Sequence, residues 1–403
     1  MKQVLALLVA TYAAYGQSQP TPLLKRGQPV DWFLTFKFNH TTAPECGGPT
    51  PTCIFGGQPQ VYKSGFAQQF TVASSADHTL KQGSGCVGDS TLDPIGATFD
   101  QIYNGKLSYV IWNDQFKGDP LPDAKSPFGH SKGVLAWNAT GAGFILQVST
   151  PSWPGSGSAA NPRTDGNTLG CVTDNNVLLS QHFFGLKLNK GDVLIVLKGL
   201  QNASVATNPN NAKTVHNGGP PEFQAIVAAL GKISPSTQPT VDRLSSGAWL
   251  ISKPSKLPVP PWQMVSALLG GVSLRVANFW EGSGKIPDTA VAGKPGCWDD
   301  QLNAGGPKLG IPGPVVNAQT GIWNGKSIGL TGAGGGSANH AKIGVSMSGD
   351  HNLSIFGDMN QAGAFNPPGC NTAQNGRGGL FFVVDDKPLH DSVKQLIGGG
   401  AAQ

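Results

Sequence analysis

Gly129-His130-Ser131-Lys132-Gly133-Val134-Leu135 and Asn339-His340-Ala341-Lys342-Ile343-Gly344-Val345 carry one pattern, His-x-Lys followed by an apolar run. If each run is a strand, alternate residues share a face, so imidazole and ammonium point the same way. The lysine charge repels a metal cation. It attracts phosphate oxygens, and a neighbouring histidine can attack phosphorus or donate a proton. Two such pairs in one chain suggest one phosphodiester held between two histidines.

The elements around the two motifs recur in the same order. Trp32-Phe33-Leu34-Thr35-Phe36-Lys37 is similar to Trp249-Leu250-Ile251-Ser252-Lys253, and Leu107 to Trp112 is similar to Val272 to Trp280. Each motif is followed by another strand-like run, Phe144 to Ser149 in one case and Leu353 to Asp358 in the other. His130 precedes Ser149 by 19 residues, and His340 precedes Asp358 by 18. This spacing is expected of an internal duplication with one domain's length of chain per copy. The expected architecture is α/β (mixed α+β), a pseudo-twofold pair of α/β sandwiches. Residues 29–235 form the first half and 241–403 the second, with His130 and His340 meeting between them.

At 403 residues the chain can bury one large core or two fused ones. Its 56 glycines and 31 prolines, with only 13% charged residues, point to a loop-rich extracellular type of globule. The 39% hydrophobic content is too high for a disordered chain. Lys2 followed by Val4 to Ala10 and then small residues reads as a signal peptide over 1–16, too short to span a bilayer. A secreted chain makes Asn39, Asn138, Asn202 and Asn352 candidate N-glycan sites, of which Asn352, close to Asp358, is expected to stay bare. Cys46, Cys53, Cys86, Cys171, Cys297 and Cys370 allow up to three disulfides and lack zinc-site spacing. The net charge of +5, or +4 once Lys2 leaves with the leader, permits an anionic partner without demanding one. Eight histidines should raise affinity for a polyanion as pH falls.

Strands are expected at Trp32 to Phe38, Leu107 to Trp112, Gly133 to Trp137, Phe144 to Ser149 and Val193 to Leu197. Helices are expected at Pro221 to Leu230, at Trp262 to Leu269, and from Pro388 with Leu389, Val393, Leu396 and Ile397 on one face. Ile233 to Thr240, polar and proline-bearing, marks the boundary between halves. Glycine-rich loops at 155–166, 305–313 and 332–337 could bring backbone close to a bound group or could be surface loops.

Two other chemistries fit the sequence less well. Gly129 to Gly133 also fits G-x-S-x-G, a nucleophile elbow that would make Ser131 the nucleophile. That elbow needs a buried strand before it, and the proline-rich segment from Asp119 to Phe128 is not one. The second motif carries Ala341 where the first has Ser131. The acids are scattered without H-E-x-x-H or D-x-D, so no metal site is expected, and Asp299-Asp300 and Asp385-Asp386 read as solvated loop charges.

Several segments together resemble the deoxyribonuclease II family, acid endonucleases with a phospholipase D-like fold. They are Pro29 to Phe33, Tyr109 to Gln115, Gly129 to Leu135, Asn339 to Lys342 with Val345-Ser346, Gly357-Asp358-Met359-Asn360, and Arg377-Gly378-Gly379. They lie in family order across most of the chain after the leader. Ala341 departs from the usual serine, the loop 361–375 is long, and only Cys171 and Cys297 fall at family cysteine positions. The resemblance implies a secreted, lysosomal or vacuolar enzyme that cuts DNA without metal or other cofactor. One neutral histidine, assigned as His130, attacks phosphorus. The other, His340, protonates the leaving 5′-oxygen, and water then releases a 3′-phosphate. Lys132 and Lys342 would hold the non-bridging oxygens, Asp358 would orient one imidazole through its carboxylate, and Ser149, Ser152 and Asn360 would contact the substrate. A phospholipase D-like enzyme for another diester and a non-catalytic polyanion-binding protein remain as other readings of the same residues.

Overall fold

A computed structural model of the chain describes residues 19–42, 69–85, 87–88, 90–116, 118–151, 153–154, 157–163, 178–282, 284–298, 309–332 and 337–400. The expected leader lies outside them, as do Ser152, Asp299-Asp300, four of the six cysteines and part of each of the three glycine-rich loops. A hairpin of β1 (Leu23–Lys25) and β2 (Gln28–Pro29) leads to β3 (Trp32–Lys37), β4 (Phe70–Ser74) and β5 (Asp77–Gln82). Then come α1 (Pro94–Tyr103), β6 (Ser108–Asn113), β7 (Lys132–Trp137) and β8 (Gly143–Val148). A small hairpin, β9 (Gly157–Ser158) with β10 (Asn161–Pro162), precedes β11 (Gln181–Leu188), α2 (Lys190–Asn202), β12 (Val215–His216) and α3 (Pro221–Ala229). Residues 230–239 form neither helix nor strand. Beyond them lie β13 (Thr240–Arg243), β14 (Trp249–Lys253), α4 (Pro261–Leu268), β15 (Leu274–Ala277) and β16 (Val315–Asn317). The hairpin β17 (Thr320–Trp323) with β18 (Lys326–Gly329) follows, and then β19 (Ile343–Ser346), β20 (Leu353–Gly357), β21 (Gly379–Asp385) and α5 (Lys387–Leu396).

Two large sheets result, one on each side of 230–239 in the chain. Sheet I has the order β12-β6-β7-β8-β11-β3-β4-β5, and sheet II has β13-β14-β21-β20-β19-β15-β16. Their pairings are antiparallel except β15 with β16. The run β6-β7-β8-β11-β3 in sheet I has the same chain connectivity as β15-β19-β20-β21-β14 in sheet II, and the next strands differ, since β4 follows β3 in the chain while β13 precedes β14. α1 and α4 precede the matched strands β6 and β15, and α2 and α5 follow β11 and β21.

The alternation of side chains along each strand divides the apolar residues into three layers. Phe33, Ile111, Val134 and Leu146 face α1 with its Ile95, Phe99 and Ile102. Ile251, Val276, Ile355 and Phe381 face α4 with its Trp262 and Val265. The opposite faces share one central core, where Leu34, Leu135 and Phe184 of sheet I meet Leu250, Phe356 and Phe382 of sheet II. Phe184 stacks on Phe356 with ring centroids 4.6 Å apart.

Two expectations are corrected. Val193 to Leu197 is helix, not strand. Asn189 accepts the Asp192 N–H while Asp192 caps the Asn189 N–H, and Val193, Val196, Leu197 and Leu200 form one buried stripe. Asn39 is fully buried and its amide donates to the Gly329 and Ser337 carbonyls, so no glycan fits there. Asn138, Asn202 and Asn352 are half-buried.

Candidate active site

Both motif histidines come to the same place, and each is held by the opposite sheet. The His130 N–H donates to the Gly378 carbonyl at 2.9 Å, and its Nδ1 lies 2.8 Å from the Asp358 carbonyl oxygen. The His340 N–H donates to the Ser180 carbonyl at 2.8 Å, and its Nδ1 lies 2.8 Å from the Ser149 carbonyl oxygen. Asp358 and Gly378 stand at facing ends of β20 and β21, and Ser149 and Ser180 stand at facing ends of β8 and β11. A carbonyl can only accept, so Nδ1 of each ring carries the hydrogen. Nε2 is then the nitrogen with the lone pair in each neutral ring, and it makes no hydrogen bond among the described residues. The two side chains are 5% and 6% exposed, so water is largely excluded from them.

Lys132 opens β7 and Lys342 immediately precedes β19, and both are buried. Their settings differ. Lys132 Nζ lies 2.5 Å from Asp114 Oδ1, and the other carboxylate oxygen lies 2.9 Å from Arg377 Nη2. Arg377 also donates to the carbonyls of Ala124, Phe128 and Gly129, fixing the segment that enters His130. The register Trp112–Gly133 in sheet I corresponds to Ala277–Ile343 in sheet II. Phe279 therefore occupies the place matched to Asp114, and its ring stands edge-on to His340 at 5.3 Å. Lys342 Nζ instead donates to the His340 carbonyl and approaches its Nδ1 to 3.3 Å.

The electrostatic consequence is a cluster of buried groups that favour losing positive charge. Burial holds His130 well below the usual imidazole range, and Lys132, Arg377 and Lys342 push the same way. Burial followed by Lys342 and Lys132 does so for His340. Burial, with Lys132 adding repulsion, holds Lys342 well below the usual ammonium range. Lys132 is lowered by burial against the pull of Asp114. Burial pushes the Asp358 carboxyl up to about 7, although Ser131, the Leu380 N–H, Lys132 and Gln147 oppose it. An anion placed among these groups would stabilise their charged forms and move the imidazoles and ammoniums back up.

The expected site residues thus divide. His130, Lys132, His340, Lys342 and Asp358 are brought together. Two expected roles are corrected in their atoms. Asp358 orients His130 through its main-chain carbonyl, because its carboxylate accepts from the Leu380 N–H at 2.9 Å and Gln147 Nε2 at 3.1 Å. Ser149 serves His340 in the same way, because its hydroxyl donates to Gln181 at 2.6 Å and accepts from the His182 N–H. Asn360 is buried beside Gln374, with its Oδ1 left without a hydrogen-bond partner. Ser131 is buried beneath the site, where it accepts from Trp112 Nε1 and bonds Asp358. Asp114, Arg377, Gln147 and His182 were given no role from sequence. Asp114 and Arg377 lie within two of the segments that carry the family resemblance, Tyr109 to Gln115 and Arg377 to Gly379, and that was their signal in the sequence. His182 accepts the Lys342 N–H on Nδ1 at 3.1 Å and is held neutral by burial, with its pKa at about 3.

Among the described residues, no three His, Cys, Asp or Glu side chains gather as metal ligands. No helix among them is long and apolar enough to cross a membrane. Cys297 and Cys370 form a disulfide that ties the segment before 299 to the loop 361–375.

A family model described as Deoxyribonuclease II matches residues 21–248, which takes in His130 and Lys132. His340, Lys342 and Asp358 lie beyond the matched stretch. Deoxyribonuclease-2-alpha of Sus scrofa is 30% identical over 173 residues, covering 41% of this chain and 40% of that protein. Cell-death-related nuclease 7 of Caenorhabditis elegans is 32% identical over 142 residues, covering 34% of this chain and 32% of its own length. Deoxyribonuclease-2-beta of Mus musculus is 27% identical over 184 residues, covering 43% and 46%. The chain therefore matches less than half the length of these relatives. With more than half of its residues within the family match, the chain belongs to the deoxyribonuclease II family.

Proposed function

We propose that this chain is an acid endonuclease that hydrolyses DNA phosphodiesters without a metal, through a phosphohistidine. The observation that carries the reading is the reciprocal docking of His130 and His340, each with Nδ1 on a carbonyl of the opposite sheet and Nε2 without a hydrogen bond among the described residues, in a site that also buries Lys132 and Lys342. The Nε2 lone pair of neutral His130 attacks phosphorus as the bond to the 5′-oxygen breaks. That oxygen takes the Nε2 proton of cationic His340. Water then attacks the phosphorus–nitrogen bond, giving its proton to His340, and leaves a 3′-phosphate with His130 restored. Lys132 and Lys342 offset charge on the non-bridging oxygens, and the unpartnered Oδ1 of buried Asn360 supports a contact to a substrate donor. Ser152 stays a candidate contact.

The two sheets are read as halves of a duplicated phospholipase D-like pair, with residues 29–235 and 241–403 related by a pseudo-twofold axis. The matched strand order and the exchanged histidine anchors support this. A secretory route to the outside, a lysosome or a vacuole, with glycans at Asn138, Asn202 and Asn352, fits the leader-like N-terminus. The test is supercoiled plasmid incubated in EDTA at about pH 5. Cleavage to fragments bearing 3′-phosphate supports the proposal. A metal requirement or an alkaline optimum would overturn it.

A further inference from the structure

Below the histidines, two wholly buried lysines stand at matched places, Lys37 at the end of β3 and Lys253 at the end of β14. Lys37 pairs with Gln181, the first residue of β11, and Lys253 pairs with Gly379, the first residue of β21. The residues immediately before those strands are Ser180 and Gly378, whose carbonyls receive the N–H groups of His340 and His130.

Lys253 Nζ donates to the carbonyls of Leu257 at 2.7 Å and of Asn375 and Arg377 at 2.8 Å each. An ammonium has three N–H donors and no acceptor, so three carbonyls saturate it. Two of the three belong to the turn that ends at Gly378. Lys37 Nζ donates to the carbonyl of Leu179, the residue before Ser180. The Gly378 peptide is also wedged, since a Cβ there would fall 2.1 Å from the Ala203 carbonyl oxygen. The turn has one tight seat, and the ammonium fastens it there.

Burying these ammoniums is unfavourable. Burial pushes Lys253 down to about 7 and Lys37 well below the usual range. An apolar side chain of similar volume would avoid that cost. What the ammonium adds is direction, because it fixes several carbonyl dipoles of one turn at a single point. We propose that Lys253 is a positioning residue for His130, and Lys37 for His340, each fixing the carbonyl that docks the histidine of the other sheet. The consequence for turnover rests on the nuclease reading above, but the consequence for the docking does not.

Amide hydrogen exchange at His130 and His340, measured on the full chain, tests this with Lys253→Met and Lys37→Met. The expected pattern is crossed. Lys253→Met should speed exchange at the His130 amide by about tenfold or more while leaving His340 within about twofold, and Lys37→Met should do the reverse. On plasmid DNA each variant should lower kcat by about tenfold or more with KM within about twofold, since the histidines and not the binding groups are displaced. Equal acceleration of both amides, or of neither, would overturn the proposal. If the crossed exchange is seen in a protein that does not cut DNA, the positioning stands and the nuclease reading fails. Should a methionine variant not fold, Lys253→Leu or Lys37→Leu, which likewise lack a donor, is read by the same exchange criteria.

Discussion

A histidine that works on phosphate needs one nitrogen fixed and the other free. Here the main chain does the fixing, at Asp358 and Ser149, while side-chain carboxylates are turned elsewhere. The two lysines are not equivalent, and mutation should separate them. Lys132→Ala and Lys342→Ala should each cost about 2–4 kcal/mol of transition-state stabilisation if both act as oxyanion donors. Lys132→Ala also strips a partner from buried Asp114 and should cost about 3–5 kcal/mol of folding stability. Lys342→Ala has no such carboxylate to orphan, and urea melts should place it clearly above Lys132→Ala. The same site gives a pH test. The folded pKa values of His130 and His340 lie below their unfolded values, so their contribution to stability is present above the unfolded pKa and is lost as pH falls through it. Asp93, raised by burial to about 6, and Asp358, raised to about 7, act oppositely: their contribution is present at low pH and lost as pH rises. The overall slope is therefore a balance. Sulfate, whose charge does not change over this range, favours proton uptake by the imidazoles and by the other buried titratable groups beside them. Sulfate should raise Tm more at about pH 5 than at about pH 8, and the difference should shrink in the His130→Ala/His340→Ala double variant.

At the scale of elements, the sequence was readable where hydrophobic period and local chemistry agreed. The runs at 32–38, 107–112, 133–137 and 144–149 alternate or stay apolar and are strands, and the proline-opened helices after 220, 260 and 387 are present. Val193 to Leu197 misled because a β-branched apolar run outweighed the cap ahead of it. The deciding signal was Asn189 with Asp192 three residues on. Asp192 also accepts from Ser245 at the start of the second sheet's chain, so this cap joins helix to helix-distant backbone. Asn189→Ala should lower stability by about 1 kcal/mol in a denaturant titration without moving KM. Phe70–Ser74, β11 and β21 are harder to read, because glycine and polar residues flank or interrupt them in the sequence. In the site, His130, Lys132, His340 and Lys342 were legible because each pair is local. Arg377 and Asp114 were not, because the chain brings them together only after both sheets have formed.

For the molecule as a whole, the histidines belong to different sheets and each is seated by the other, while Phe184, Phe356 and Phe382 close one core between them. Neither histidine has its complete set of anchors without the opposite sheet. Attack and leaving-group protonation should then behave as one unit. The most direct measurement is a double-mutant cycle on plasmid cleavage in EDTA at about pH 5, comparing His130→Ala, His340→Ala and the pair. The expected result is that each single variant loses nearly all turnover and that the pair loses no more than either. Substantial turnover in either single variant, or losses that add in the double variant, would contradict one phosphodiester shared between His130 and His340.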